Sequence, residues 1–285
     1  MKTLSAKWLV PIALLILVLS QCGFAQSSNS FEITWSSLSS GGGQGLTSNS
    51  FAMEGTLGQS VAGYAESNSF AAYIGFWVPE ETNTPPTEIN SLDEAKTQTD
   101  GTKVHTTGKV ATSAATDFTG FIYVEESDRS SGIRVVAQSI TGALVRGSEV
   151  EVTGTMSTTT NGERFIDNAT VIVTGSHTLL APLGMNNKGL GGGDLGVPAT
   201  GTGQYGVSGG VGTNNIGLLV KVWGYLTSSG GATSLDDGSG TVVTVDTTDI
   251  TVPSNGYYSI TGISSLESDR AGVVMPRDNG DVRPH

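Results

Sequence analysis

Between residues 103 and 176 apolar and polar side chains alternate in short runs: KVHTTGKVAT, FIYVEES, GIRVVAQ, RGSEVEVTGTM and ERFIDNATVIVTG. Within FIYVEE, Phe121, Tyr123 and Glu125 fall on one face and Ile122 and Val124 on the other, the period-2 signature of a half-buried strand. Turn-forming residues separate the runs. DRSSG lies between the second and third, and Asn161-Gly162, a hairpin dipeptide, precedes the last. The spacing predicts five strands closing into a small barrel. A degraded copy follows: LLVKVWGYLT, SLDDGSG, TVVTVD and GYYSITGISS. Gly108 aligns with Gly224, the pair Glu125-Glu126 with Asp236-Asp237, and Val152-Thr153-Gly154 with Ile260-Thr261-Gly262. Glycines that recur inside strands mark places where a sheet coils sharply or a neighbouring strand comes close.

The remaining segments organise around these two copies. Residues 26–77 form a small β-module in which Ser-Asn-Ser-Phe-Ala occurs twice, at 48–52 and 67–71, as expected of short strands about a Gly-rich turn. Trp35, Phe51, Phe70, Phe76 and Trp77 load it with aromatics that so short a segment cannot enclose. The module is therefore expected to cover those rings against the chain's own barrels or against another subunit, and the linker at Pro85-Pro86, which holds it away from the first barrel, favours other protein subunits or cell-surface components. Residues 78–90 hold three of the nine prolines and read as an extended linker. Ser91 and Glu94 have capping-box spacing and predict a short helix from Leu92 to Lys96 or slightly beyond, stopped at Asp100-Gly101. The first barrel then occupies 91–178. Residues 179–215 are a glycine-rich insert, with thirteen glycines between 184 and 217, too many for a helix. It is expected to run as ordered coil and re-enter the sheet through Asn214–Leu219. The second barrel takes 216–285, and its tail loses alternation after Glu267, so 276–285 is expected to fray.

The N-terminus changes the cellular setting. Lys2 and Lys7, the apolar run LVPIALLILVL and Gly23-Phe24-Ala25 predict a secretory leader over 1–25, too short to remain as a membrane span. Leu19-Ser20-Gln21-Cys22 admits a rival reading as a lipidation site, with Gln21 a poor residue before a lipidated cysteine. The single cysteine lies in this leader, so the mature chain is expected to hold no disulfide. Removing 1–25 leaves 12 basic against 26 acidic side chains. A surface so acidic disfavours nonspecific binding of nucleic acid or anionic lipid.

Candidate chemistry is sparse. Two stretches match G-x-G-x-x-G, at Gly191-Gly193-Gly196 and Gly201-Gly203-Gly206, but neither lies between a strand and a helix as a dinucleotide site requires. The three histidines, His105, His177 and His285, stand beside no nucleophile motif, and an enzyme is not expected. Calcium is the one cofactor the residues suggest. Glu126, Asp128, Asp236 and Asp237 offer hard oxygens at hairpin turns, although Asp at such positions ordinarily just makes the turn.

The GKV strand, the FIYVEESDRSSGIRVV hairpin and the GSEVEVTG strand resemble the OB-fold domains of secreted bacterial proteins. The segment from EGTLGQ to GFW resembles an N-terminal module of bacterial surface proteins. The resemblance implies an all-β chain, with a small β-module before two tandem five-stranded Greek-key barrels. It also implies ligand binding across the second and third strands, where Phe121, Tyr123 and Arg134 sit. With a single cation there, nucleic acid is disfavoured and packing against the linker, another domain or a partner is the simpler expectation. The function these readings converge on is extracellular binding or assembly without catalysis, with single-stranded nucleic acid or polysaccharide binding as the alternative.

Overall fold

The computed structural model describes residues 85–251 and 253–285 in full and, before them, the backbone of strands between residues 27 and 74. The predicted leader and the side chains of Trp35, Phe51, Phe70, Phe76 and Trp77 lie outside the described residues. The chain divides into two units, Met1–Asn83 and Thr84–His285. In the first, Gly41–Ser48 pairs with Phe51–Leu57 and Gly63–Ser67 with Phe70–Ile74, both antiparallel. Ser48 lies opposite Phe51 and Ser67 opposite Phe70.

The second unit is mostly β. Strands β1 (Lys103–Ala111), β2 (Ile122–Glu125), β3 (Gly132–Thr141), β4 (Ser148–Thr158) and β5 (Arg164–Ser176) follow the five alternating runs. β1 pairs antiparallel with β2, β2 with β3 and β5 with β4; β3 runs parallel to β5, and β4 returns to β1, which closes the barrel. Alternation selects what goes inside: Val150 and Val152 of β4, Ile122 and Val124 of β2, and Ile166 and Val171 of β5 share one core. Helix α1 (Leu92–Thr97) adds Leu92 and Ala95 to that core. Its cap is built from the predicted pair: Ser91 Oγ accepts the Glu94 N–H at 3.2 Å, and the Glu94 carboxylate accepts the Asn90 N–H at 2.9 Å.

A second ring of strands repeats the order. β6 (Leu219–Ser229), β7 (Ala232–Asp236), β8 (Val242–Val245), β9 (Gly256–Leu266) and β10 (Gly272–Met275) pair as β6–β7–β8–β10–β9–β6, with β8 and β10 parallel. Its own core holds Val220, Val222, Leu226, Leu235, Val243 and Ile260. The recurring glycines are close approaches. A Cβ on Gly154 would lie 2.5 Å from the Ile166 side chain and 2.8 Å from the Asp167 carbonyl, and one on Gly262 would lie 2.6 Å from the Met275 carbonyl. Gly224 is blocked in the same way by Asp236. Gly108 differs, with open space around it but a φ of +68° that side chains rarely adopt.

The glycine-rich insert is ordered. It forms the hairpin of Leu195–Val197 with Thr202–Gln204 and buries Leu190 in the second core. The tail corrects the expectation of fraying. Val282–Pro284 pairs antiparallel with β9, and Arg277 both clasps Asp281 at 2.8 Å and donates to the Thr112 carbonyl of the first barrel at 2.8 Å. A three-residue strand is too short to show a period, which is why alternation missed it.

Candidate functional site

The residues singled out on β2 and β3 face the second barrel. Tyr123 and Arg134 are directly opposite in the β2–β3 register. The Arg134 guanidinium lies 4.2 Å from the Phe121 ring centre, and its Nε donates to Tyr123 Oη at 3.0 Å. Phe121 stacks on Phe118 at 5.2 Å and meets Tyr123 edge-on at 5.9 Å. Tyr123 is fully buried, in an apolar cluster with Leu219, Ile263, Val273 and Met275 of the second barrel. The outward aromatics of the first barrel are therefore an interface.

A polar network runs through this interface. Glu163, 2% exposed, accepts the Tyr123 hydroxyl at 2.6 Å and the Ser265 hydroxyl of β9 at 2.8 Å, and pairs with Arg134 at 2.9 Å. Burial, reinforced by the Glu163 charge, pushes the Tyr123 phenol well above its ordinary range, so it stays a neutral donor. Glu125, fully buried, takes Arg129 Nε at 2.8 Å and the backbone N–H of Leu219, the first residue of β6. Burial also raises the Glu125 carboxyl, against the lowering effect of Arg129. Lys96 of α1 is buried and donates to the Ile216 carbonyl at 2.8 Å; desolvation lowers it to about 8, opposed by Asp93, Glu163 and Glu125. Nearby, Gly132 and Gly217 bring their backbones so close that neither position has room for a side chain.

Beside this sealed face a cleft of about 460 Å³ opens between the barrels. Arg134 and Asn161 of the first barrel form one wall, and Thr233, Thr244, Asp246, Thr248 and Glu267 of the second form the other. β7 and β8, the counterparts of β2–β3, bring Ala232, Thr233, Thr244 and Val245 to that second wall, the segment after β8 adds Asp246 and Thr248, and most of the rest comes from β9, β10 and their ends. Asp246 is held in place by accepting the Thr248 N–H at 2.9 Å and its hydroxyl at 2.6 Å. Asn161 donates across the barrels to the Leu266 carbonyl at 3.2 Å.

The acidic turn residues occupy two separate places. Glu126 pairs with Lys109 at 2.8 Å and accepts the Leu92 N–H at 2.8 Å; Asp128 accepts the Ser130 N–H at 2.9 Å. Asp236 and Asp237 accept the Gly238 and Ser239 N–H groups at 2.8 and 2.9 Å, and Asp237 also takes the Asn187 N–H at 2.7 Å. The bonds of Asp128, Asp236 and Asp237 to the residue two ahead make turns, whereas Glu126 ties its hairpin to Lys109 of β1 and to α1, and Asp237 ties its turn to the insert at Asn187. Among the described residues no three His, Cys, Asp or Glu side chains gather as a metal site. His105 sits between Glu88 at 2.7 Å and Glu151 at 3.2 Å, and His177 contacts the Thr178 carbonyl at 2.7 Å.

Glu163 is the interface residue that pattern reading passed over. It precedes β5 and carries no motif; the one signal was a carboxylate just after the Asn161-Gly162 turn, within reach of Arg134. No protein-family model matches the chain, and no curated protein sequence matches it. Among the described residues no helix is long and apolar enough to cross a membrane.

Proposed function

We propose that the chain is a non-enzymatic extracellular binding protein whose two barrels are OB-like and whose inter-barrel cleft takes a neutral, hydroxyl-rich glycan. The strand order, with its one parallel pair in each ring, supports the OB-like reading. Such barrels bind ligands across their second and third strands. In the first barrel that face lies against the second barrel; in the second its edge, at Thr244, borders the cleft. The lining is the observation that carries the ligand class. Threonine hydroxyls and the carboxylates of Asp246 and Glu267 surround a single cation, Arg134, which is already paired with Glu163. Hydroxyls and carboxylates hydrogen-bond sugar hydroxyls in both directions, whereas phosphates need uncommitted cations. A glycan array probed with the full chain, alongside a gel shift with single-stranded oligonucleotides, tests the reading. Binding to neutral glycans that Asp246→Ala abolishes supports it, and oligonucleotide binding without glycan binding overturns it.

A second reading, assembly with further subunits, rests on the N-terminal unit. Among the described residues each of its hairpins is a two-stranded sheet with unpaired outer edges, and such edges accept a neighbour's strand. Sedimentation of the mature chain against one beginning at Glu88 tests it: concentration-dependent growth confined to the longer chain is expected.

A further inference from the structure

On its outward face the second barrel carries an exposed aromatic group that the cleft does not use. Trp223 and Tyr225 of β6 and Tyr257 of β9 are 49%, 43% and 51% exposed. The Trp223 and Tyr257 rings stack at 5.4 Å and 14°, and Tyr225 meets Tyr257 edge-on at 5.1 Å. Stacking against one another holds the rings in place, so a ligand does not have to order them.

Two further features share that face. The register sets Trp223 opposite Ser259, and Ser259 opposite Arg283, in one row across three strands. Directly opposed residues point to the same side of a sheet. Ser259 is 4% exposed, yet its hydroxyl has no hydrogen-bond partner, and a buried hydroxyl without one is a cost that calls for an explanation. Lys221, two residues before Trp223 on β6, is on the same side by strand alternation. Among the described residues neither Lys221 nor Arg283 forms an ion pair. Arg283 Nε donates to the Gly280 carbonyl at 3.3 Å, which leaves its charge without a counter-ion; in a chain of net charge −12, two such cations near one tryptophan stand out.

We infer that this face is a second ligand site, separate from the cleft, that takes an acidic glycan. A sugar ring lies against the part of the Trp223 ring that Tyr257 leaves free, as aromatic faces receive flat apolar surfaces. Its carboxylate sits between Lys221 and Arg283, and a ring hydroxyl supplies the partner that Ser259 lacks. Charge complementarity selects this occupant over two others. A second copy docked face to face would set Lys221 and Arg283 against their own equivalents. A nucleic-acid strand would run its phosphates past Asp236, opposite Tyr225 in the register, with only two cations to offset them.

The test is titration of the full chain, followed by tryptophan fluorescence and calorimetry, with an oligogalacturonate, a neutral oligosaccharide of similar length and a single-stranded oligonucleotide. The oligogalacturonate is expected to bind and to weaken as salt rises. Trp223→Ala and the double variant Lys221→Ala/Arg283→Ala should each reduce that affinity about tenfold or more, and Ser259→Ala a few-fold. Asp246→Ala should leave it unchanged, which separates this site from the cleft. The exposed positions of Trp223, Lys221 and Arg283 make these variants compatible with folding, and circular dichroism checks it. Failure of the oligogalacturonate to bind, equal binding by Trp223→Ala, loss on Asp246→Ala or preference for the oligonucleotide would each overturn the inference.

Discussion

Glu125, the last residue of β2 in the first barrel, accepts the backbone N–H of Leu219, the first residue of β6 in the second. One carboxylate thus fixes where the second barrel starts relative to the first. Its other oxygen holds Arg129, whose Nη2 donates in turn to the Leu219 carbonyl at 2.7 Å. Both polar groups of that Leu219 peptide row are therefore satisfied from the first barrel, which is what burial there demands.

The carboxylate should be hard to remove. Glu125→Ala leaves a buried N–H without its acceptor and Arg129 without its counter-charge, a change expected to cost about 3 to 5 kcal/mol. Glu125→Gln keeps an acceptor for Leu219 and should cost less. Urea unfolding of the full chain measures both. Equal stability of Glu125→Ala and the parent chain would show that this contact does not hold the barrels together.

The glycines divide by mechanism. Gly154 is closed in by Ile166 and by backbone, so Gly154→Val should cost about 1 to 3 kcal/mol through overpacking. Gly108 has space but a φ of +68°. Asn tolerates that region, so Gly108→Asn should be nearly neutral while Gly154→Asn is destabilising. Thermal melts of the three variants distinguish crowding from backbone strain.

His105 makes stability depend on pH. Its ring joins Glu88, on the short strand Thr87–Glu88 that pairs with β1, to Glu151 on β4. The hydrogen bond to Glu88 is the main reason its pKa is raised, with Glu151 adding to it and partial burial opposing. A raised imidazole binds its proton more tightly folded than unfolded. Its contribution is complete below the unfolded value of about 6.5 and is lost as pH rises through the folded value. For a solvent-screened pair the effect is at most about 1 kcal/mol. Melting temperatures should fall on going from about pH 6 to pH 8.5 by more in the parent chain than in His105→Gln; parallel curves would contradict the assignment.

Much of the strand layout was legible because one-sided burial writes a period of two, as in β4, where Val150 and Val152 are buried between half-exposed glutamates. The Ser91–Glu94 cap was readable for a similar local reason. Alternation also put Tyr123 and Glu125 on the outward face of β2, but a period names a face and not what covers it. That cover comes from residues 219–275, brought there by an insert whose path is set by glycine turns with no period of their own. Glu163 and the Val282–Pro284 strand escaped for the same reason: each is defined by a partner distant in sequence. The outer aromatics Trp223 and Tyr257 stood in plain alternation, yet only the register across β6 and β9 makes them neighbours.

The second barrel closes the β2–β3 face of the first, and the proposed glycan reading therefore puts ligand in the cleft beside β7 and β8. Hydrogen exchange of the full chain, with and without a neutral glycan selected from the array, tests this most directly. Ligand should slow exchange in residues 231–234 and 242–248 and leave 121–125 unchanged. Slowing in 121–125, with none at 242–248, would place the ligand on Phe121 and Tyr123 and contradict that reading.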